Sequence, residues 1–404
     1  MKVAFLSASG ELGGAERCLL DLIRGLRREL RKFDPMCILP EEGPLAEALR
    51  QLGVSVEVVE LPKFLASTGD SGERSRLTVA LRLLAGVPAV PAMVRRLRRL
   101  LVDRSCDLVH SNGVKTHLLS ALAVPRTMPL LWHLHDFVGA RPVAGALLRA
   151  AAVRPVTLVA NSRAVAEDAA QRLRLPSVRH IHNAIDLTQF VPESLEGSWL
   201  DSAAGLEPAG GRVVRVGLVA TYARWKGQDQ FIDAVAQLGD SIRQAGRFYI
   251  IGGPIYRTRG SQWTQEELHR RIRERGLSGC LGLVGFQSDP ARVMRSLDVV
   301  VHASTRPEPF GLTIAEAMAA GRAVVAVSAG GSAELFRPGI DALAIRPGSV
   351  PDLREALARL IADESLRRRL GASAAVEARK RFDLHRFAGE FAGLYRNLAG
   401  IDDP

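Results

Sequence analysis

The stretch "LDVVVHASTRPEPFGLTIAEAMAAGRAVVAVS", Leu297 to Ser328, contains a complete strand, helix and second strand. Its two ends are valine-rich runs, as strands buried on both faces require. Pro307 and Pro309 keep the chain between them extended, and the Phe310-Gly311 step turns it into a helix. A strand that reaches its neighbour through a crossover helix lies parallel to it. This unit therefore fixes a parallel sheet, and the rest of the chain repeats it.

In the first half the strand candidates are "KVAFLSA", "MCILP", "VSVEVVE", "DLVHS", "PLLWHLH", "VTLVAN" and "VRHIH". Helix-period segments lie between them: Glu16 to Lys32, Leu45 to Leu52, Met93 to Val102 and Arg163 to Leu173. From Leu187 to Gly211 small and turn-forming residues displace any sustained apolar period, which predicts an interdomain linker. The alternation then resumes with "RVVRVGLVA", "RFYIIGG", "CLGLVGF", the opening unit and "DALAIRP", with helices from about Gln228 and over Gln265 to Arg275. Strands alternating with helices imply doubly wound, Rossmann-like α/β domains. The expected division is 1–186 and 187–383. The last helical run, Leu384 to Leu398, follows a well-formed helix from Pro351 and has no strand to return to. The segment 384–404 is therefore expected to cross back to the first domain.

Ligands in such sheets bind beyond the carboxyl ends of the strands. With two such domains the expected site is a cleft in which those ends face each other.

A chain of 404 residues suits two cores. With 47% hydrophobic and 24% charged residues it has a globular composition. The longest near-apolar run, Leu83 to Val94, is too short for a membrane span and contains two prolines. The start, "MKVAFLSASG", lacks a signal-peptide apolar region and reads as a first strand, so a cytoplasmic location is expected. Cys18, Cys37, Cys106 and Cys280 show no paired metal spacing and read as reduced thiols.

The net charge of +11 calls for an anionic partner or surface. Two basic runs, "RGLRRELRK" from Arg24 and "RRLRRLLVDR" from Arg95, read either as solvated helix faces or as a surface for acidic lipid headgroups at the inner face of a membrane. Aromatics make up only 5% and are not interleaved with the basic residues, so no nucleic-acid partner is expected.

Four stretches with chemistry fall at strand ends. In "SASGELGGAE", Gly10, Gly13 and Gly14 precede a helix start where backbone amides could meet a phosphate, or they are mere tight packing. In "WHLHDF", His133 and His135 share a strand face, and Asp136 follows. Either histidine alone is more often structural, and no nearby spacing completes a zinc site. In "LVATYARWKGQDQF", Lys226 sits before Gly227 and a helix, with Arg224 as a planar donor close by. A surface lysine at a helix entry reads equally well. In the opening unit the amides around Leu312 and Thr313 are open to a phosphate. Glu316, inside the helix, lies near where a ribose would follow, and a carboxylate accepts from a diol. Glu308, on the loop side, points to what the phosphate carries.

Glu308 and Glu316 in "PEPFGLTIAEAMAAG" resemble the E-x7-E element of the retaining GT-B glycosyltransferases, in particular glycosyltransferase family 4. The likeness extends over nearly the whole chain through "LGGAER", "LVHSNG", "WHLHD", "VANS", "HNAID", "RWKG" and "RKRFDLHRF". The resemblance implies a GT-B fold with an acceptor-side first domain and a donor-binding second domain. It implies that Glu316 holds the donor ribose and that Glu308, with the amides after Phe310, including Gly311, Leu312 and Thr313, holds the transferred sugar and diphosphate. Lys226 would balance the diphosphate, His135 would contact the sugar near the reacting carbon, and Gly13 and Gly14 would lie against the phosphates. On this reading Glu308, His135 and Lys226 form the catalytic set. One departure is Thr221, where the family often has an arginine; Arg224 is the candidate replacement.

No two aspartates are two apart, so the Asp-X-Asp metal motif is missing. The expected enzyme is a metal-independent hexosyltransferase without a cofactor, retention being implied by the likeness alone. Its donor is a nucleoside diphosphate sugar and its acceptor a glycan or lipid-linked molecule of envelope polysaccharide or glycolipid synthesis. The alternatives are a nucleotide-sugar epimerase of the same shape and a non-catalytic sugar-nucleotide-binding module.

Overall fold

A computed structural model describes residues 1–60, 90–209, 211–254 and 261–400. The apolar run from Leu83 begins outside the described residues, as do the last four positions of the returning segment. The chain forms two compact units, one of 1–184 with 384–404 and one of 185–383.

In the first unit seven parallel strands are ordered β3-β2-β1-β4-β5-β6-β7. They are β1 Lys2–Leu6, β2 Asp34–Leu39, β3 Ser55–Val58, β4 Leu108–Ser111, β5 Leu130–Leu134, β6 Thr157–Ala160 and β7 Arg179–His180. Alternation sends Val3 and Phe5 to one face and Ala4 and Leu6 to the other, each into its own apolar layer. The first layer is closed by helix Gly14–Glu29 and by helix Leu384–Ala399, which contributes Phe387, Phe391 and Tyr395. These two helices pack so closely that a Cβ on Gly25 would lie 2.6 Å from that of Ala388.

The second unit has six parallel strands ordered β10-β9-β8-β11-β12-β13. They are β8 Val214–Val219, β9 Gly246–Ile251, β10 Leu281–Val284, β11 Val299–His302, β12 Ala323–Val327 and β13 Leu343–Ile345. The two valine runs of the opening stretch are β11 and β12, paired parallel from Val299↔Ala323 to His302↔Ala326. In both units the strand order reverses beside the first strand, which makes the carboxyl ends of β1/β4 and of β8/β11 the switch points. The expected pair of doubly wound α/β domains is what the chain forms.

The segment 187–211 is not a free linker. Helix Ser198–Ala203 buries Leu200 and Asp201 against the second unit. Asp201 accepts from the Tyr249 hydroxyl (2.7 Å) and from Arg215 Nη2 (3.2 Å), and the Leu195 amide donates to the Arg295 carbonyl (2.8 Å). A buried ionic cluster replaces the apolar periodicity whose absence suggested a linker. The division between the units falls at Ala184 and Ile185.

Candidate active site

The second unit gathers its candidate site residues at the ends of β8 and β11. After β8 the chain makes a short 3-10 turn, Arg224–Lys226, then Gly227 at φ +83° and helix Gln228–Ala236. A Cβ on Gly227 would lie 2.0 Å from the Ala303 carbonyl oxygen, so only glycine allows this approach. The Thr305 amide donates to the Trp225 carbonyl at 2.8 Å and locks the two segments together. Lys226 is thereby delivered to the loop that carries Glu308.

Lys226 Nζ donates to both carboxylate oxygens of Glu308, at 2.7 and 2.8 Å. Ser304 Oγ donates to Glu308 Oε2 at 2.8 Å, and His302 Nε2 lies 3.2 Å from the same oxygen. Glu308 is only 7% exposed. Burial works to raise its pKa, but Lys226 and His302 outweigh burial and hold the carboxyl below the usual carboxylate range. Its backbone is fixed too, with the Gly331 amide donating to the Glu308 carbonyl at 2.7 Å. His302 and Ser304 escaped the sequence reading. The available signal was their spacing, two apart at a strand end and four to six residues before a carboxylate.

Helix Leu312–Ala319 begins immediately beyond. Its N-cap is Gly311 at φ +103°, a left-handed position that favours glycine and supplies no side-chain cap. The first amides, at Leu312 and Thr313, therefore face the helix mouth with the positive end of the helix dipole behind them. The Phe310 ring is in the core, edge-on to Phe382 with centroids 6.0 Å apart, so Phe310 offers a ligand its backbone only. Glu316 is buried within the same helix, at 8% exposure.

Arg224 pairs with Glu267 at 2.7 Å and lies over the Trp263 ring at 3.9 Å. It is thus tied to the start of helix Gln265–Glu274, where Glu267 also completes a capping box with Thr264. Thr221 accepts at its carbonyl from Gln228 Nε2 at 2.7 Å.

In the first unit His135 Nε2 lies 2.7 Å from Asn112 Oδ1, whose amide nitrogen donates to the Ala15 carbonyl. That arrangement makes Nε2 the donor and leaves Nδ1 of a neutral ring as an acceptor. Burial lowers the His135 pKa to about 4, with Asp136 partly opposing. The His133 ring lies 4.1 Å from that of His135, as the same-face spacing predicts, but His133 is fully interior. Gly13 caps helix Gly14–Glu29 at φ −84°, an ordinary conformation. Glu16 already accepts the Gly13 amide and its own, and burial raises its pKa to about 7. Among the described residues no group of three or more His, Cys, Asp or Glu side chains could hold a metal, and no helix is long and apolar enough to cross a membrane.

Two family models match. Residues 12–189 match Glycosyltransferase Family 4 and residues 212–376 match Glycosyl transferases group 1. An alpha-D-kanosaminyltransferase of Streptomyces kanamyceticus is 30% identical over 182 residues, 45% of each chain. A phosphatidyl-myo-inositol mannosyltransferase of Mycobacterium leprae is 27% identical over 375 residues, 88% of this chain and 91% of that one. Several of the curated relatives align over a third to two thirds of their own length, from 31% to 62%. The crystal structure of Anabaena HepE in complex with UDP-glucose superposes with a TM-score of 0.79. At 27% identity it covers 98% of this chain and 100% of that one. Two family models in sequence, the E-x7-E helix mouth and a whole-chain structural likeness agree: the chain belongs to the GT-B glycosyltransferases of family 4.

Proposed function

We propose that this protein transfers a hexosyl group from a nucleoside diphosphate sugar to a glycan or lipid-linked acceptor, with retention of configuration and without a metal. The observation that carries the reading is the uncapped mouth of helix Leu312–Ala319, with the Lys226–Glu308 pair before it and Glu316 within it. Residues 185–383 are the donor side and residues 1–184 with 384–404 the acceptor side.

Breaking a sugar-phosphate bond places negative charge on the departing diphosphate and positive charge on the sugar carbon. Lys226 and the Leu312 and Thr313 amides offset the first. Glu316 accepts from the ribose hydroxyls. Glu308 accepts from hydroxyls of the transferred sugar, and both of its oxygens being engaged suits a holding role better than attack at the anomeric carbon. His135, donating through Nε2 to Asn112, turns its acceptor nitrogen to a hydroxyl near that carbon. Arg224, Gly13 and Gly14 contribute to donor binding after rearrangement of their present contacts. The acceptor belongs to envelope polysaccharide or glycolipid synthesis, in keeping with what the relatives' names state of them. The basic helices of the first unit would rest on anionic lipid at the cytoplasmic face.

The test is transfer from a panel of uridine, guanosine and adenosine diphosphate sugars to lipid extracts and oligosaccharides, with the product's anomeric proton read by NMR. Retained configuration is expected, undiminished by a chelator. Donor isomerised without acceptor would favour an epimerase, and no turnover of any donor would refute the proposal.

A further inference from the structure

This inference rests on the proposed donor site and concerns what keeps Glu308 in place there. The strongest partner of Glu308 is Lys226, bound to both its oxygens. A diphosphate arriving at the helix mouth competes for that same ammonium group. A buried carboxylate deprived of its cation would swing away or take a proton, because burial penalises its charged form. Two other groups face it: Ser304 Oγ at 2.8 Å and His302 Nε2 at 3.2 Å.

We infer that His302, with Ser304, is a positioning residue that keeps the Glu308 carboxylate in place for the transferred sugar while Lys226 turns to the diphosphate. A carboxylate only accepts, so in the bond to Glu308 the hydrogen of His302 sits on Nε2, which also lies 3.3 Å from Ser304 Oγ. The ring is buried at 6% exposure, and its Nδ1 has no hydrogen-bond partner among the described residues. An orphaned polar atom is a cost that an apolar residue of similar size would avoid. The imidazole therefore earns its position through Nε2. The main chain around it is pinned, since Gly227 closes on the Ala303 carbonyl and Thr305 is tied to Trp225. Lys226 and His302 are the titratable groups that face Glu308.

The test follows the Glu308 carboxyl carbon by NMR in the full chain, with 13C-labelled glutamate and Glu308→Gln to assign the signal. Lys226→Met imitates removal of the lysine by diphosphate. In that background Glu308 should stay ionised to lower pH with His302 than with His302→Leu, by at least about one pH unit. His302→Gln, which restores an N–H donor, should recover at least half of the difference. An identical titration with histidine and with leucine would overturn the inference, as would a glutamine variant no better than leucine. If His302→Leu does not fold, Ser304→Ala is compared in the same way. With UDP-glucose, His302→Leu should lower donor-saturated kcat at least about tenfold while the Kd for UDP stays within about threefold. If the wild-type chain turns over no sugar nucleotide, the functional proposal fails, and the titration still decides the role of His302.

Discussion

The ammonium of Lys226 is clamped by both oxygens of Glu308, in a chain whose two residues lie 82 positions apart. The pair joins the turn after β8 to the loop after β11, and each partner sits beside the mouth of a helix. The two opposite charges thus neutralise each other.

Breaking this pair on one side should be costly. Lys226→Ala leaves a buried carboxylate with only Ser304 and His302, and a loss of about 2–4 kcal/mol is expected. Glu308→Gln should cost less, because Lys226 is 18% exposed in its side chain and has solvent within reach. The double variant should recover much of the Lys226→Ala loss. Urea unfolding of the four proteins gives the coupling; additive effects would contradict it.

Gly227→Ala should damage the site more than any exposed substitution nearby. Its φ of +83° is strained for alanine, and the new methyl would meet the Ala303 carbonyl at 2.0 Å. The expected result is about 2–4 kcal/mol of lost stability and weakened diphosphate binding, measured by melting and titration with UDP. Full retention of both would show that the close approach is not needed.

Helix Leu384–Ala399 depends on Gly25. A methyl there would fall 2.6 Å from Ala388 Cβ, which the helical gain of alanine over glycine, about 1 kcal/mol, does not offset. In Gly25→Ala, amide exchange in 384–399 should speed up, with the 185–383 unit unchanged. Unchanged protection of that helix would contradict the packing.

Acid should loosen the first unit before the second. Burial lowers the pKa of His110, His117, His133 and His135, to about 3 and about 4 for His117 and His135. The unfolded chain, with histidines near 6.5, binds more protons, so stability is present above that value and drains as pH falls towards 4. Each proton contributes about 1.4 kcal/mol per pH unit. Glu16, raised to about 7, works in the opposite direction by one proton between 7 and 4.5. The lowered pKa of Glu308 adds no slope until below 4.5. Exchange mass spectrometry at pH 7 and pH 5 should show loss of protection in residues 1–184 first; earlier loss in 185–383 would contradict the assignment.

The legible part of this protein was local. Glu308, Gly311 and Glu316 are separated by a helix start, so spacing alone places them along the chain, and short apolar runs alternating with helix-period segments identify both sheets. The position of Lys226 before Gly227 and a helix was legible, and the structure holds Gly227 at φ +83° in that turn. His302 and Ser304 were not, because their role exists only once the end of β11 meets a lysine from another strand. The segment 187–211 misled for a related reason: Asp201 is buried by Tyr249 and Arg215, distant partners that no local period reveals. Arg224 reads as a phosphate ligand by position; its contacts with Glu267 and Trp263, at the start of a neighbouring helix, are ones that position alone does not reveal.

Calorimetric titration of the folded chain with nucleoside diphosphates and their sugars tests the central claim most directly, with Lys226→Ala and Glu316→Ala alongside. Saturable binding is predicted, weakened at least about tenfold in each variant, with Lys226→Ala losing more for diphosphate than for monophosphate. A wild-type chain that binds none of them, or variants that bind as tightly as wild type, would contradict it.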